Sequence, residues 1–293
     1  MHSQAQAGTA ANVIAVEVLV VGGSGFLGGE LARQALAAGH RVAATYATRP
    51  GDLAGVAWHA VDVRDRARVG ELVAAVRPDA VVNAAYRKDD WATTADGAAH
   101  VAVAAAAVGA RLVHVSSDAV FSGAAVHYAE SAVPDPTSPY GAAKAAAETA
   151  VAAVCPAAVI ARTSLIIGDG GSAHERWVHD LVAGRAAGVL FTDEVRCPVH
   201  VADLAAALLE LAASELSGVH HVAGPDAVSR HELSTLIARR DGLDPAALPA
   251  GRSPGPPRPV DVRLDCTATR ARLRTELRGA REFLRRPAGR RLL

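Results

Sequence analysis

Short apolar runs recur along the chain between longer stretches with helical spacing. The run Glu-Val-Leu-Val-Val at 17–21 is apolar without alternation, which predicts a strand buried on both faces. Comparable runs predict strands at 41–46, 56–63, 79–85, 111–116 and 157–164, with helices between them at 29–38, 66–76, 91–108 and 140–154. Strands that alternate with helices in this way predict an α/β fold around a doubly wound parallel sheet. Beyond Gly168 the pattern loosens into helices at 174–187, 203–213 and 230–240 and one strand at 219–223. The segment 249–259 is rich in proline and glycine and reads as a loop, and the basic run at 285–291 is expected to fray. The division that follows is a first domain over 14–168 and a smaller region over 169–293, with 198–222 returning to pack on the first.

The first strand runs into Gly22-Gly23-Ser24-Gly25-Phe26-Leu27-Gly28 and then into a helix. Two glycine spacings overlap there, Gly23-x-Gly25-x-x-Gly28 and Gly22-x-x-Gly25-x-x-Gly28. Both serve one physical demand: a tight turn, backbone N–H groups close to a pyrophosphate, and close packing of helix on strand. Strand before and helix after make this a dinucleotide site in a Rossmann-type sheet, with Gly22, Ser24, Gly25, Phe26, Leu27 and Gly28 as its expected contacts. The second strand ends Thr45-Tyr46-Ala47-Thr48-Arg49 without the carboxylate that commonly holds the ribose of NAD, so Arg49 is expected to face a 2′-phosphate. NADPH is therefore expected ahead of NADH, with Asp52 the remaining ribose partner.

Lys144 is one of two lysines in a chain with 30 basic residues, and it stands four residues after Tyr140 in Ser138-Pro139-Tyr140-Gly141-Ala142-Ala143-Lys144. On a helix that spacing puts phenol and ammonium on one face. A neighbouring cation favours phenolate, so the tyrosine pKa is expected to be lowered towards the working pH.

Composition narrows the class. With 51% hydrophobic residues there is ample material for a core, and a formal net charge of zero argues against nucleic-acid or membrane-surface partners. Cys155, Cys197 and Cys266 are widely spaced, show no metal-ligand pattern and suit a reducing, cytoplasmic compartment; no metal is expected. His200, His220 and His221 lack a spaced partner and read as structural.

Together these residues resemble the extended short-chain dehydrogenases/reductases, and among them the dTDP-4-dehydrorhamnose reductase family. The resemblance rests on Val81-Val82-Asn83-Ala84-Ala85, on Val113-His114-Val115-Ser116-Ser117-Asp118-Ala119-Val120-Phe121-Ser122-Gly123, and on Tyr128-x-Glu130. It continues through Pro139-Tyr140-Gly141-x-x-Lys144, Ala161-Arg162-Thr163-Ser164, Pro198-Val199-x-Val201-x-Asp203-Leu204-Ala205 and Arg258-Pro259 to Leu264-Asp265, covering about 16–275.

The resemblance implies hydride transfer from NADPH to a ketone on a nucleotide-linked 4-keto-6-deoxysugar. Tyr140 would donate the proton, Lys144 would tune it and hold the nicotinamide ribose, and Ser117 would bond the carbonyl oxygen. Asp62 and Val63 would border the adenine, Ala84, Ala85 and Tyr86 the ribose and diphosphate, and Ser116 would also line the cofactor. The region 169–293 would bind substrate, with Trp177, Arg196 and Arg258 as candidate contacts, beside His174, Arg176 and Arg263. A homodimer through the helices at 91–108 or 140–154 is compatible with the pattern. The family often has an aromatic at the place of Ala119, Trp-Val-Tyr at Leu165-Ile166-Ile167 and Asn near Thr94, and these departures leave the sugar undetermined. Alternatives are an epimerase, or a regulatory NADP-binding subunit like the methionine adenosyltransferase β subunit. Elimination chemistry is disfavoured because Asp118 is followed by Ala119 rather than a second acid.

Overall fold

The computed structural model describes residues 15–255 and 258–285. Pro256 and Pro257 of the proline-rich loop, and all of the basic run after Arg285, lie outside the described residues. The chain opens with β1 (Glu17–Val21), α1 (Phe26–Ala37), β2 (Arg41–Tyr46), β3 (Val56–Ala60), α2 (Arg66–Val76) and β4 (Ala80–Asn83). It continues with α3 (Gly97–Val108), β5 (Arg111–Ser117) and α4 (Pro139–Val154), then the strand Val159–Thr163. α5 (Ala173–Val182), α6 (Val201–Ala212), the strand Gly218–His221 and α7 (Arg230–Asp241) follow.

Seven parallel strands form one sheet in the order Gly218–His221, Val159–Thr163, β5, β4, β1, β2, β3. The order reverses at β1, so the crevice outside the carboxyl ends of β1 and β4 is the topological switch point, where ligands bind in such sheets. The unbroken apolar pattern of β1 is explained by its surroundings. Val18 and Val20 pack with Leu31 of α1 and Leu204, Leu208 and Leu211 of α6, while Leu19 and Val21 pack on the other side with Val101 of α3 and Val151 of α4. Gln34 ties α1 to α6 by donating to the Ala202 carbonyl at 2.8 Å.

A third cluster, including Ile167, Val178, Leu190, Leu233 and Ile237, fills the region built on α5 and α7. Its strands are two-residue pieces: Leu190–Phe191 pairs with Ala250–Gly251, and Val195–Arg196 with Val228–Ser229. Such pieces are too short to carry a period. One expected helix also begins differently, since 92–96 form a π-helical turn before α3, and β3 ends at Ala60 rather than Val63.

The placement of α4 sets the site. Its first turn is capped by the Ser138 hydroxyl, which accepts from the Gly141 N–H at 3.1 Å, and Pro139 occupies a position that needs no donor. Gly141 lies so close to the turn after β5 that a Cβ there would fall 2.1 Å from the Ala119 carbonyl oxygen. Helix propensity alone favours alanine over glycine by about 1 kcal/mol. Gly141→Ala should nevertheless lower stability by about 1–3 kcal/mol in urea unfolding, because overpacking against backbone wins. A stabilised variant would show that α4 can move away from the turn freely.

Candidate active site

The glycine loop is shaped by contact as well as by turn geometry. Gly22 has φ +81, and a Cβ on it would lie 2.9 Å from the Ala85 backbone; one on Gly28 would lie 2.2 Å from the Gly22 oxygen. α1 begins with Gly25 as its cap, without a side-chain hydrogen bond or an acid in the first turn, so its leading N–H groups face the switch-point crevice. Ser24 and Gly25 are exposed, Leu27 is buried, and the half-exposed Phe26 ring lies against Gly168 and Gly171. Ala84 and Ala85 run beside Gly22, held by the Ala84 N–H to Val21 and the Ala85 N–H to the Asn83 side chain. Glycine at 22 and 28 thus lets the loop fold tightly on its own backbone and on Ala85, a turn that fits a dinucleotide diphosphate at the start of α1.

Around the crevice, Tyr86 is exposed and Arg49 stands exposed on the loop after β2. Asp62 is exposed but gripped by Arg64, whose Nη2 lies 2.6 Å from its carboxylate and holds that carboxyl below its ordinary range. Val63 is buried, packed where a side chain on Gly97 would otherwise sit.

Ser117, Tyr140 and Lys144 meet at the carboxyl end of β5. Lys144, 2% exposed, donates from Nζ to the Val115 carbonyl at 2.8 Å and stands 5.3 Å from the centre of the Tyr86 ring. The Tyr86 and Tyr140 rings are 5.8 Å apart. The Ser117 hydroxyl accepts from the Ala119 N–H and donates to Asp118, each at 3.2 Å. Beneath them Glu148, one turn past Lys144, accepts from Ser116 Oγ at 2.5 Å and from Arg162 Nη2 at 2.7 Å. The Ser116 hydroxyl is thus committed to Glu148 rather than open to a ligand. The sequence reading passed over Glu148 and gave Arg162, quoted only within a matching stretch, no role, although the spacing 140, 144, 148 and a charge inside an apolar strand were both visible.

The candidate substrate residues are dispersed. Arg196 is buried and donates to the carbonyls of Val195, Val260 and Pro259, with Asp118 and Glu194 each 3.7 Å away. Glu194, 1% exposed, also accepts from Arg230 at 2.9 Å and Arg258 at 2.7 Å. Arg258 is half-exposed and lies over the Phe191 ring. Burial opposes the charge on Glu194, but Arg230, Arg258 and Arg196 together hold it below the usual carboxylate range. Trp177 is half-buried, its ring against Gly188 and 5.9 Å from that of His174. His174 bonds Ser234, and burial with Arg230 nearby pushes it down to about 3. Arg176 is exposed, and Arg263 pairs with Asp261 at 2.7 Å. Among the described residues no group of three or more His, Cys, Asp or Glu is arranged to hold a metal ion, and no helix is long and apolar enough to cross a membrane.

The electrostatics correct one expectation. Burial, with Tyr86 and Asp118, holds the Tyr140 phenol above its ordinary pKa rather than below it, and the Ser117 hydroxyl pulls the other way. Lys144 turns its ammonium to the Val115 carbonyl and the Tyr86 face, and loss of water around a phenolate outweighs its help. Burial draws Lys144 itself down to about 8, with Glu148 resisting.

Comparison with known proteins places this arrangement. The RmlD substrate binding domain family matches residues 16–289. The dTDP-4-dehydrorhamnose reductase of Mycolicibacterium smegmatis is 33% identical over 292 residues, covering 93% of this chain and 85% of the relative. The methionine adenosyltransferase 2 subunit beta of Xenopus laevis is 28% identical over 236 residues, covering 72% of this chain and 70% of the relative. The crystal structure of dTDP-4-dehydrorhamnose reductase from Bacillus anthracis in complex with NADP superimposes with a TM-score of 0.76 at 25% identity, over 92% of this chain and 97% of that one.

Holding Lys144 in so dry a place has a measurable cost. Its pKa is about 8 in the fold against 10.5 as the ordinary value, so the unfolded chain binds the extra proton between those limits. The penalty is therefore complete below pH 8 and is relieved as pH rises through that window. Lys144→Met should unfold at higher urea than wild type at pH 7, by on the order of 2–3 kcal/mol, with the gain fading towards pH 10. Equal stability at both pH values would show that the ammonium is not strained by burial.

Proposed function

The chain belongs to the RmlD substrate binding domain family, a family of NAD(P)-dependent oxidoreductases of the extended short-chain dehydrogenase/reductase type, and we propose that it reduces the ketone of a nucleotide-linked 4-keto-6-deoxysugar with NADPH. The observation that carries this reading is the gathering of Ser117, Tyr140 and Lys144 at the end of β5, beside the Tyr86 ring of the segment after β4.

The open N–H groups at the start of α1, those of Phe26, Leu27 and Gly28, hold the diphosphate, while the Gly22 and Gly25 N–H groups shape the turn by bonding Thr45 and the Gly22 carbonyl; Asp62, Val63, Ala84, Ala85 and Tyr86 border the rest of the dinucleotide. Arg49 supplies the charge for a 2′-phosphate. When bound, the reduced nicotinamide supplies hydride to the carbonyl carbon. Tyr140, kept protonated by its surroundings at neutral pH, gives its proton to the carbonyl oxygen. The Ser117 hydroxyl, turning its one proton from Asp118, donates to the same oxygen and fixes its angle, and the Lys144 charge favours the phenolate that Tyr140 leaves behind. The balance is a ketone, a hydride and a proton to one alcohol.

The region 169–293 receives the rest of the substrate. Arg258 and Arg230, set in place by Glu194, offer guanidinium forks to a diphosphate, Arg196 braces them from beneath, and Trp177 lines the wall. Kinship to a methionine adenosyltransferase subunit supports a second reading, in which the protein binds NADP and a partner enzyme without turnover.

NADPH oxidation with a panel of dTDP-linked 4-keto-6-deoxysugars separates the two. Wild type should turn over at least one sugar, and Tyr140→Phe should lose about 100-fold or more in kcat while NADPH affinity stays within a few fold. Tight NADPH binding with no turnover across the panel would favour the second reading. Arg49→Ala should raise the Kd for NADPH about tenfold and leave NADH unchanged, since one charge-assisted contact is lost. Equal changes for both would remove Arg49 from the phosphate site.

A further inference from the structure

We propose that Glu148 is a positioning residue for the Tyr140–Lys144 pair, its carboxylate keeping the Lys144 ammonium charged in a site that burial has dried. The inference rests on the reductase reading for what that charge serves, while the placement stands on geometry. Tyr140, Lys144 and Glu148 recur at intervals of four on α4 and so line one helix face. Neighbouring residues of β5 receive them: the Val115 carbonyl takes the Lys144 ammonium at 2.8 Å, and the Ser116 hydroxyl donates to Glu148 at 2.5 Å. Both side chains are nearly removed from water, Lys144 at 2% and Glu148 at 5% exposure.

The other groups around Lys144 do not supply its counter-charge. From β5, His114 is buried, bonded through Nδ1 to Asn83 and held neutral, well below its ordinary range, by burial and by Lys144 itself. From the segment after β4, Tyr86 offers only its ring face. On α4, Tyr140 is held protonated. Asp118, after β5, is engaged by Ser117 and by Ser164 at 2.6 Å, with Arg196 3.7 Å away. From the strand Val159–Thr163, Arg162 is a cation, and it is spent on Glu148. The carboxylate is thus the anion that raises the tendency of Lys144 to stay protonated, against burial. Its bond to Ser116 also fixes α4 against β5, so charge and position come from one side chain.

The chain holds two lysines, Lys88 and Lys144, and Lys88 is exposed. Protein labelled with 13C at the lysine Cε therefore gives two resonances, with Lys88 as the reference inside each sample. Titrated without substrate, wild type should show a Lys144 midpoint of about 8. Glu148→Gln keeps an acceptor for Ser116 and removes the charge; the midpoint should fall by about one unit or more, a tenfold change in proton affinity, with Lys88 unmoved. A Lys144 midpoint that stays in place in the folded variant overturns the proposal. If the stranded Arg162 prevents folding, Glu148→Gln/Arg162→Gln removes both charges, and the same criterion applies because the charge that acts on Lys144 is the carboxylate and not the guanidinium. Since the readout needs no turnover, failure of the reductase reading and failure of this one are separate results.

Discussion

The ion pair between Glu148 and Arg162 is the fastening on which the site depends. Both residues are nearly inaccessible, and bringing two charges out of water costs several kcal/mol per ion unless the interior satisfies them. Here it does. Two nitrogens of Arg162 reach the carboxylate, a third donor goes to the carbonyls of Glu130 and Ala132, its guanidinium lies 5.0 Å from the Phe121 ring, and Ser116 completes the carboxylate. Geometry this demanding is met in one arrangement of α4, β5 and the strand Val159–Thr163. An apolar contact at the same place would tolerate sliding, whereas a displaced charge would be left unpaired. Tyr140 and Lys144 inherit their position from that intolerance.

A second polar chain joins the turn after β5 to the smaller region. It runs from Ser117 to Asp118, from Asp118 towards Arg196, and from Arg196 to Glu194, where Arg230 and Arg258 converge. Arg196 entered the reading as a substrate contact, and its burial and its three carbonyl partners make it a brace instead. The guanidiniums of this group with surface to offer an anion are Arg258 and Arg230, each also bonded to Glu194, and of the two only Arg258 stood out in the sequence. Arg230 is the first residue of α7, and nothing in its spacing marks it. Its partner Glu194 is remote in sequence, so the pairing becomes visible only once the fold brings them together.

The large sheet was legible because burial on both faces leaves an unbroken apolar run, as in β1, and because glycine at 22 and 28 is demanded by backbone approach. The smaller region was not, since strands of two residues carry no period and its core joins α5, α7 and the distant Leu248 and Leu284. The pattern also failed at the start of α3, where apolar spacing cannot distinguish a π turn from an α turn. Tyr140 shows a subtler limit. Spacing put a cation on the same helix face as the phenol, but the sign of the pKa shift depends on how much water the fold removes, which no spacing records.

The use of lysine at 144, in a chain whose basic residues are arginine but for this one and the exposed Lys88, follows from the same dryness. A guanidinium carries five donors in a rigid plane, and at this depth each would need an acceptor. The wall at Lys144 offers the Val115 carbonyl and the face of Tyr86, which suits an ammonium with three donors on a rotatable stem. One donor is fixed by the backbone, and the remaining two can turn towards the crevice. Arginine would also stay charged at any working pH, whereas an ammonium drawn down to about 8 is held close to its proton exchange point. What looks like a compositional accident at position 144 is the one basic side chain that this pocket can both bury and use.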